Sequence, residues 1–436
     1  MRAVLTNFGS TGDVQPLIAL AVELSRHGHQ PVLAVSPNFA PWVEQFGFRC
    51  TPIGPDVQQA LRDALATRIE MTEFFDSVSE IRAFLAPLIE ALPEMYRDLR
   101  DACRDADVLI SGATQPAGRM IHELTGIPFV SLFLGHPGAL GTAAMQQARF
   151  SLINPFRQEL GLPPLHDPLN SYHSPQLALY AMSRHVVPPA ATWPLHYTMT
   201  GYFFLDDERW QPAPELSAFL AAGPPPVVFS FGSMVHADPQ AFTTLVLETV
   251  RRVDCRAIIQ KGWSGLTATE LPPEVLVIDY APHAWLFPRA ACVVHHGGAG
   301  TAAAVFRAGI PSLFLPHNAD QPLWAETAYQ LGCAGPVIPY PRATVDGLSQ
   351  ALTTVLSTPR YREAAAALGQ QIRAEHGVKK ARQLIEGLVA KVGLHNPASA
   401  DLHPPGDRAD DRQVKQNRRQ QYQQRQRSRK QGVGDE

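Results

Sequence analysis

The chain has 436 residues, 45% of them hydrophobic, and a formal net charge of −3. It can therefore bury two ordinary domain cores, and its charge balance argues against a nucleic-acid-binding body. Its five cysteines (Cys50, Cys103, Cys255, Cys292, Cys333) are scattered without metal-ligand spacing and read as buried thiols of a reducing compartment.

The opening MRAVLTNFGSTGD has a short apolar run that breaks at glycine and reaches Asp13 at once, which does not read as a signal peptide. RAVLTNF predicts a strand. VQPLIALAVELSRHG places Val14, Leu17, Ile18, Ala21 and Leu24 at helical spacing and stops at Gly28. PVLAVS, DVLISG and IPFVSLFL are further short apolar runs of buried-strand type, separated by helical patterns. The longest uncharged stretch, residues 126–148, is broken by Pro128, Gly135, Pro137, Gly138 and Gly141, so it does not read as a transmembrane helix. A soluble cytoplasmic protein is expected. Repeated βα units imply a parallel sheet with helices on both faces.

Prolines and charges cluster in FLDDERWQPAPELSAFLAAGPPP, which predicts a linker with one short helix. The alternation then restarts with PPVVFSFGSM, AFTTLVLETVRRV, RAIIQ, VLVIDY, ACVVHH and PSLFLP. The predicted class is α/β, with two Rossmann-like doubly wound domains at residues 1–205 and 225–394 facing a cleft, joined by a linker at 206–224. Residues 395–436 form a tail. Its segment RQVKQNRRQQYQQRQRSRKQ carries eight Lys/Arg and no acid, a composition that reads as disorder, or as an arm for anionic lipid or nucleic acid.

The stretch HHGGAGTAAAVFRAG follows a strand and opens a helix. A glycine turn feeding a helix N-terminus is an anion site, because free N–H groups and the positive dipole end face the ligand. A second strand-end loop, FGSM, would face the same cleft. GAGTAA also fits the dinucleotide pattern G-x-G-x-x-A, with Asp320 twenty residues past Gly300, so an NAD-type oxidoreductase is arguable. Against it, Asp320 starts the next predicted helix, and the two preceding histidines have no role in that fingerprint.

Three stretches carry a resemblance: GSTGDVQP at residues 9–16, KGWSGL at 261–266, and the long ordered segment at 280–324 that contains YAPHAWLFPRAACVVHHGGAGTAAAVFRAGIPSLFLPHNADQPLW. The chain resembles the family 1 glycosyltransferases of GT-B fold, in particular the sterol and lipid glucosyltransferases and the antibiotic glycosyltransferases, over roughly residues 1–392. The resemblance implies that His296 contacts the diphosphate of a nucleotide sugar, while Gly298, Gly300 and Thr301 supply donors. It places Ser233 on the second loop, with Ser10 and Trp263 as further donor-pocket candidates. Pro282 and His283 lie where the family holds base and ribose, and Asp320 and Gln321 match the pair that holds sugar hydroxyls. Asp13 is the implied base for the acceptor, with His136 as the reserve candidate or as part of the acceptor pocket. Phe74, Phe75, Phe84, Leu85 and Leu88 read mainly as core, with some lining an apolar acceptor pocket. Thr11 stands where sterol-type members often have Arg, and Ala304 where plant members have a ribose-binding Glu, so the nucleotide is left open.

The implied activity is inverting transfer of a hexose, glucose from UDP-glucose, to a hydroxyl of a sterol, terpenoid, polyketide or lipid. No metal or other cofactor and no specific nucleic acid are expected, and peripheral contact with a membrane surface is compatible. A non-catalytic nucleotide-sugar-binding accessory protein of the same fold is the alternative. By position alone, Asp13 and Asp320 could be helix caps only, and His295 reads as structural.

Overall fold

A computed structural model of the chain describes residues 1–59, 89–140, 143–166, 173–207, 209–232, 234, 238–262, 271–317 and 320–393. Ser233, Trp263, Phe74, Phe75, Phe84, Leu85, Leu88 and the tail from residue 395 lie outside the described residues.

Residues 1–393 form one body containing two wholly parallel sheets. The first has strands β1 (Arg2–Thr6), β2 (Gln30–Val35), β3 (Cys50–Pro52), β4 (Val108–Gly112), β5 (Phe129–Phe133), β6 (Leu177–Tyr180) and β7 (Tyr197–Met199), in the order β3-β2-β1-β4-β5-β6-β7. Register is set by buried pairs such as Val4 with Val32 and Leu5 with Ile110. The second has β8 (Val227–Ser230), β9 (Ala257–Gln260), β10 (Val275–Ile278), β11 (Cys292–His295) and β12 (Ser312–Phe314), in the order β10-β9-β8-β11-β12. In each sheet the order reverses beside the first strand, between β1 and β4 and between β8 and β11. Ligands of such sheets bind outside the strand carboxyl ends at that point.

Apolar strand residues are shut away on both faces because helices cover both, which is why β4, β5, β8, β9 and β11 are buried throughout. A cluster containing Phe133, Tyr180 and Met182 from the first unit, and Phe306, Phe314, Trp324 and Leu368 from the second, joins the two. Each such side chain, fully buried, contributes about 1.5–3 kcal/mol. All five cysteines are free, and burial pushes the thiols of Cys103 and Cys333 up to about 12. No helix among the described residues is long and apolar enough to cross a membrane.

Three local expectations are corrected. The first helix spans Thr11–Arg26, so it starts before the apolar periodicity does and holds Pro16 within it. The cause is the Asp13 carboxylate, which accepts the Ser10 N–H and stabilises that first turn. The linker helix Pro214–Ala221 buries Leu216 against Val228 and Ile258, so it belongs to the second core rather than to a free linker. The last helix, Gly377–Gly393, leaves the second unit and buries Ala381 and Ile385 in the core of the first. There Arg382 pairs with Glu23 at 3.0 Å and with Glu386 at 2.8 Å, and Glu386 meets His29 at 2.8 Å. The chain therefore crosses between the units twice, once after β7 and once before this helix.

Candidate active site

The segment closing β11 and opening the next helix combines His295, His296 and the glycines Gly297, Gly298 and Gly300. Gly297 has φ +91°, a conformation side chains rarely adopt. The buried His295 ring packs on Phe314 at 4.2 Å, and its Nδ1 accepts the Gly297 N–H at 3.2 Å. Burial, then the neighbouring His296 and His283, hold it well below the usual histidine range, so it is a neutral structural residue as the sequence suggests. The buried His296 ring lies between two glycines: a Cβ at Gly232 would sit 3.3 Å from its Cε1, and one at Gly298 would overlap its Nε2. The helix Ala299–Ala308 starts here with Gly298 as N-cap, and its first intrahelical bond runs from the Ala302 N–H to the Gly298 carbonyl. The N–H groups of Ala299, Gly300 and Thr301 thus have no intrahelical acceptor and mark the positive end of the helix.

Beside this loop, Ser230 at the end of β8 donates to Gln260 Oε1 at 3.0 Å, and Gln260 Nε2 donates to the Ala281 carbonyl at 2.9 Å. His283 stacks on Phe287 at 4.3 Å and places Nε2 3.4 Å from the Ser230 hydroxyl. Burial lowers His283 to about 4, so its ring is neutral. Pro282 is the N-cap of the short helix that carries it. Ser230 and Gln260 were not singled out in the sequence. The available signal was a polar residue closing each of two otherwise apolar strands.

Asp320 is the N-cap residue of the helix Gln321–Gln330, but its side chain accepts no N–H of the first turn. Its Oδ2 accepts the indole N–H of Trp324 at 2.7 Å and the backbone N–H of His136, from the other unit, at 3.0 Å. The bland capping expectation fails there because these two donors claim the carboxylate. Gln321 is buried, accepting the His317 N–H at 2.8 Å and pointing its amide nitrogen at Met234 Sδ at 3.5 Å. His136 accepts the Gly138 N–H at Nδ1 and holds Nε2 3.2 Å from the Thr327 hydroxyl. Both ring nitrogens are engaged, and burial lowers its pKa although Asp320 opposes this. The geometry makes His136 a bridge between the units rather than a poised base.

Asp13 does act as a cap, its Oδ2 accepting the Ser10 N–H at 2.8 Å and lying 3.3 Å from the Ser10 hydroxyl. Its Oδ1 accepts from Asn7 Nδ2 at 3.2 Å, and Asn7 in turn accepts from Thr114 in the loop after β4. Burial raises Asp13 from 3.8 to about 6; Ser10 and Asn7 oppose this, and the charge of Asp320 adds to it. A Cβ at Gly9 would overlap this carboxylate, so the close approach requires glycine. Across the units, a Cβ on Gly300 would lie 3.9 Å from Gly12 Cα. The N-termini of the first helix and of Ala299–Ala308 therefore meet. Among the described residues no group of three His, Cys, Asp or Glu side chains is placed to hold a metal ion.

The dinucleotide pattern meets a topological objection. That fingerprint belongs after the first strand of its sheet, whereas GAGTAA follows β11, the fourth in sequence.

Comparison with known proteins agrees with the geometry. Residues 3–139 match the glycosyltransferase family 28 N-terminal domain, and residues 244–385 the erythromycin biosynthesis protein CIII-like C-terminal domain. The chain is 32% identical over 418 residues to O-mycaminosyltylonolide 6-deoxyallosyltransferase of Streptomyces fradiae, covering 88% of this chain and 97% of that protein. It is also 32% identical over 430 residues to sterol 3-beta-glucosyltransferase of Leptosphaeria maculans, covering 88% of this chain but only 28% of the longer fungal protein. The chain thus spans less than a third of the length of such fungal relatives. Among solved structures, the glycotransferase of kitacinnamycin superposes with a TM-score of 0.70 at 22% identity, covering 89% of this chain and 99% of that one. VinC, solved in complex with dTDP, superposes at 0.65 with 21% identity, covering 90% and 100%. With two family domains matched in order and a full-length relative above 30% identity, the chain belongs to the glycosyltransferases of GT-B fold, in the group that holds sterol and antibiotic glycosyltransferases.

Proposed function

We propose that the chain is an inverting glycosyltransferase moving a hexose, glucose from UDP-glucose, to a hydroxyl of an apolar acceptor such as a sterol, terpenoid, polyketide or lipid. The observation that carries this reading is the meeting of two helix N-termini at Gly12 and Gly300, one bearing a carboxylate near pKa 6 and the other a set of free N–H groups beside His296. The acceptor hydroxyl gives its proton to Asp13 while its oxygen bonds to the anomeric carbon from the face opposite the diphosphate. The bond from that carbon to the diphosphate breaks, and its electron pair leaves with the nucleotide. The base is far weaker than an alkoxide, so proton transfer accompanies sugar transfer rather than preceding it. Growing charge on the diphosphate is met by the Ala299–Ala308 helix end and by His296. Gln321 and Asp320 take the sugar hydroxyls, and His283 with the Ser230–Gln260 pair borders the base and ribose. The sterol glucosyltransferase relatives support glucose and an apolar alcohol. An acceptor of that kind partitions into membranes, which fits a soluble protein making transient contact with a membrane surface.

The experiment is donor binding followed by thermal stability with UDP-glucose, dTDP-glucose, UDP-rhamnose, GDP-mannose and NAD. Donor at about a hundred times its Kd stabilises the folded state by about 2.7 kcal/mol. A shift with one nucleotide sugar that is lost in His296→Ala is expected, and turnover with an apolar alcohol should follow. A shift with NAD alone would overturn the proposal.

A further inference from the structure

The two chain crossings between the units run side by side and enclose a cleft outside the active site. Gly201, with φ +98°, follows β7 on the first crossing; Glu375 and His376 precede the last helix on the second. The crossings touch backbone to backbone: a Cβ on Gly377 would overlap the carbonyl oxygens of Gly201 and Tyr202. Beside this contact opens a cavity of about 400 Å³ lined by Arg184, His185, His376, Lys379, Lys380 and Glu375, among others. β7 lies four strands from β1, or ~19 Å across the sheet at the usual strand spacing. The cleft is therefore separate from the Asp13 and His296 loops.

Its charge is one-sided. Arg184, Lys379 and Lys380 form no ion pair among the described residues, while Arg382 and Arg307 elsewhere in the chain do. Lys380 spends one donor on the Met199 carbonyl at 2.6 Å. Burial, then the nearby Arg184, hold its pKa below the usual lysine range. The single acid lining the cavity, Glu375, is bound by the Ser183 hydroxyl and the Arg184 backbone N–H; burial raises its pKa, and Arg184, Lys379 and Lys380 outnumber it. The hydroxyl of the buried Tyr202 beside it has no hydrogen-bond partner among the described residues and can donate, whereas Glu375 Oε2 is an acceptor and offers an anion nothing. Clustered cations with an open cavity and spare polar capacity suit an anion with several oxygens.

We infer that the cleft between the two crossings binds a phosphate-bearing anion, held by Arg184, Lys379 and Lys380 at a site distinct from the donor loop. The cavity also borders both segments that join the units, through Thr200 and Gly201 on one and Glu375 and His376 on the other. The phosphate is either that of a small soluble molecule or that of a lipid headgroup.

Pyrophosphate titration by calorimetry tests this on the full chain, comparing wild type, His296→Ala and the double variant Arg184→Glu/Lys379→Glu. Arg184 and Lys379 are exposed, so the fold should survive, and Arg184→Gln/Lys379→Gln is a milder check. The result expected is a class of sites that persists in His296→Ala and binds at least about tenfold more weakly in the double variant, since each charged contact carries over a kcal/mol. An isotherm unchanged in both double variants would overturn the inference, whatever His296→Ala does. Sedimentation with phosphatidylcholine vesicles, with and without phosphatidylserine, separates the sources. Binding to the anionic vesicles that the double variant loses identifies a lipid headgroup. Pyrophosphate binding without vesicle binding identifies a soluble phosphate.

Discussion

Asp13→Asn exchanges one carboxylate oxygen for an amide in nearly the same volume and leaves Oδ1 free to accept the Ser10 N–H, so the first turn of the helix should persist. In the folded protein burial lifts Asp13 from 3.8 to about 6. At 1.36 kcal/mol per unit, keeping it ionised costs at most about 3 kcal/mol of folding free energy. The sign follows from the folded value lying above the unfolded one. Below about pH 4 both states hold the proton and nothing is lost. Between about 4 and 6 the folded state keeps a proton that the unfolded chain releases, so stability falls as pH rises, and above about 6 the loss is complete. The amide removes this penalty but turns a second donor toward Asn7 Nδ2, and the lost hydrogen bond returns about 1 kcal/mol of it. A variant about 2 kcal/mol more stable than wild type near pH 7.5, and about 1 kcal/mol less stable below about pH 4 where only the lost hydrogen bond remains, is the expected result of denaturant titrations at the two pH values. Turnover should fall by about 10²–10⁴, the usual loss on removing a general base, with the donor-induced thermal shift intact. Wild-type kcat/KM should rise with pH through about 6. A variant within a few-fold of wild-type turnover, or a profile flat through that region, would refute the base assignment.

Asp320→Ala strips the acceptor from the Trp324 indole and the His136 N–H, each worth about 1–3 kcal/mol when buried and unmet. Chemical denaturation should show that loss together with a raised donor KM, and unchanged stability would mean that Asp320 does not join the units. Gly298→Ala drives a methyl into the His296 ring. Donor-induced stabilisation should disappear while the melting temperature without ligand moves little, and normal donor binding would contradict the placement of His296. Ile385→Ala should cost about 2–5 kcal/mol in urea titration, because the last helix is anchored in the core of the first unit. A midpoint equal to wild type would show that this helix does not pack there.

Buried parallel strands announce themselves as short apolar runs: PPVVFSFGSM, RAIIQ, VLVIDY, ACVVHH and PSLFLP each hold a strand of the second sheet, and AFTTLVLETVRRV is a helix between them. In the first half β3, β6 and β7 are not picked out, being three, four and three residues long. The glycine loop after β11 is singled out by its residues, and the Asp320–Gln321 pair and Asp13 by the resemblance; the structure gathers the loop, Asp320 and Asp13 where the two helix N-termini meet. Ser230, Gln260 and Asn7 are not singled out, because each is a single polar residue at a strand end; Ser230, Gln260 and the Thr114 contact of Asn7 depend on segments that return from elsewhere in the chain. His136 illustrates the same limit, since a strand-end histidine is available as a base until a helix of the other unit occupies its second nitrogen.

Local order determined what could be read in advance. Strand runs and helix periodicity depend on residues close along the chain, so the fold class was accessible from them, while the family followed from the resemblance carried by three ordered stretches. What the tertiary structure decided is everything that depends on burial and on partners far apart in sequence. It set Asp13 near 6 by removing water around it, and brought the remote His136 N–H to the Asp320 carboxylate, which also accepts the Trp324 indole N–H four residues on. It also carried the last helix back to the first unit, where the apolar stripe through Ala381 and Ile385 found a matching surface, and so created the cationic cleft between the crossings.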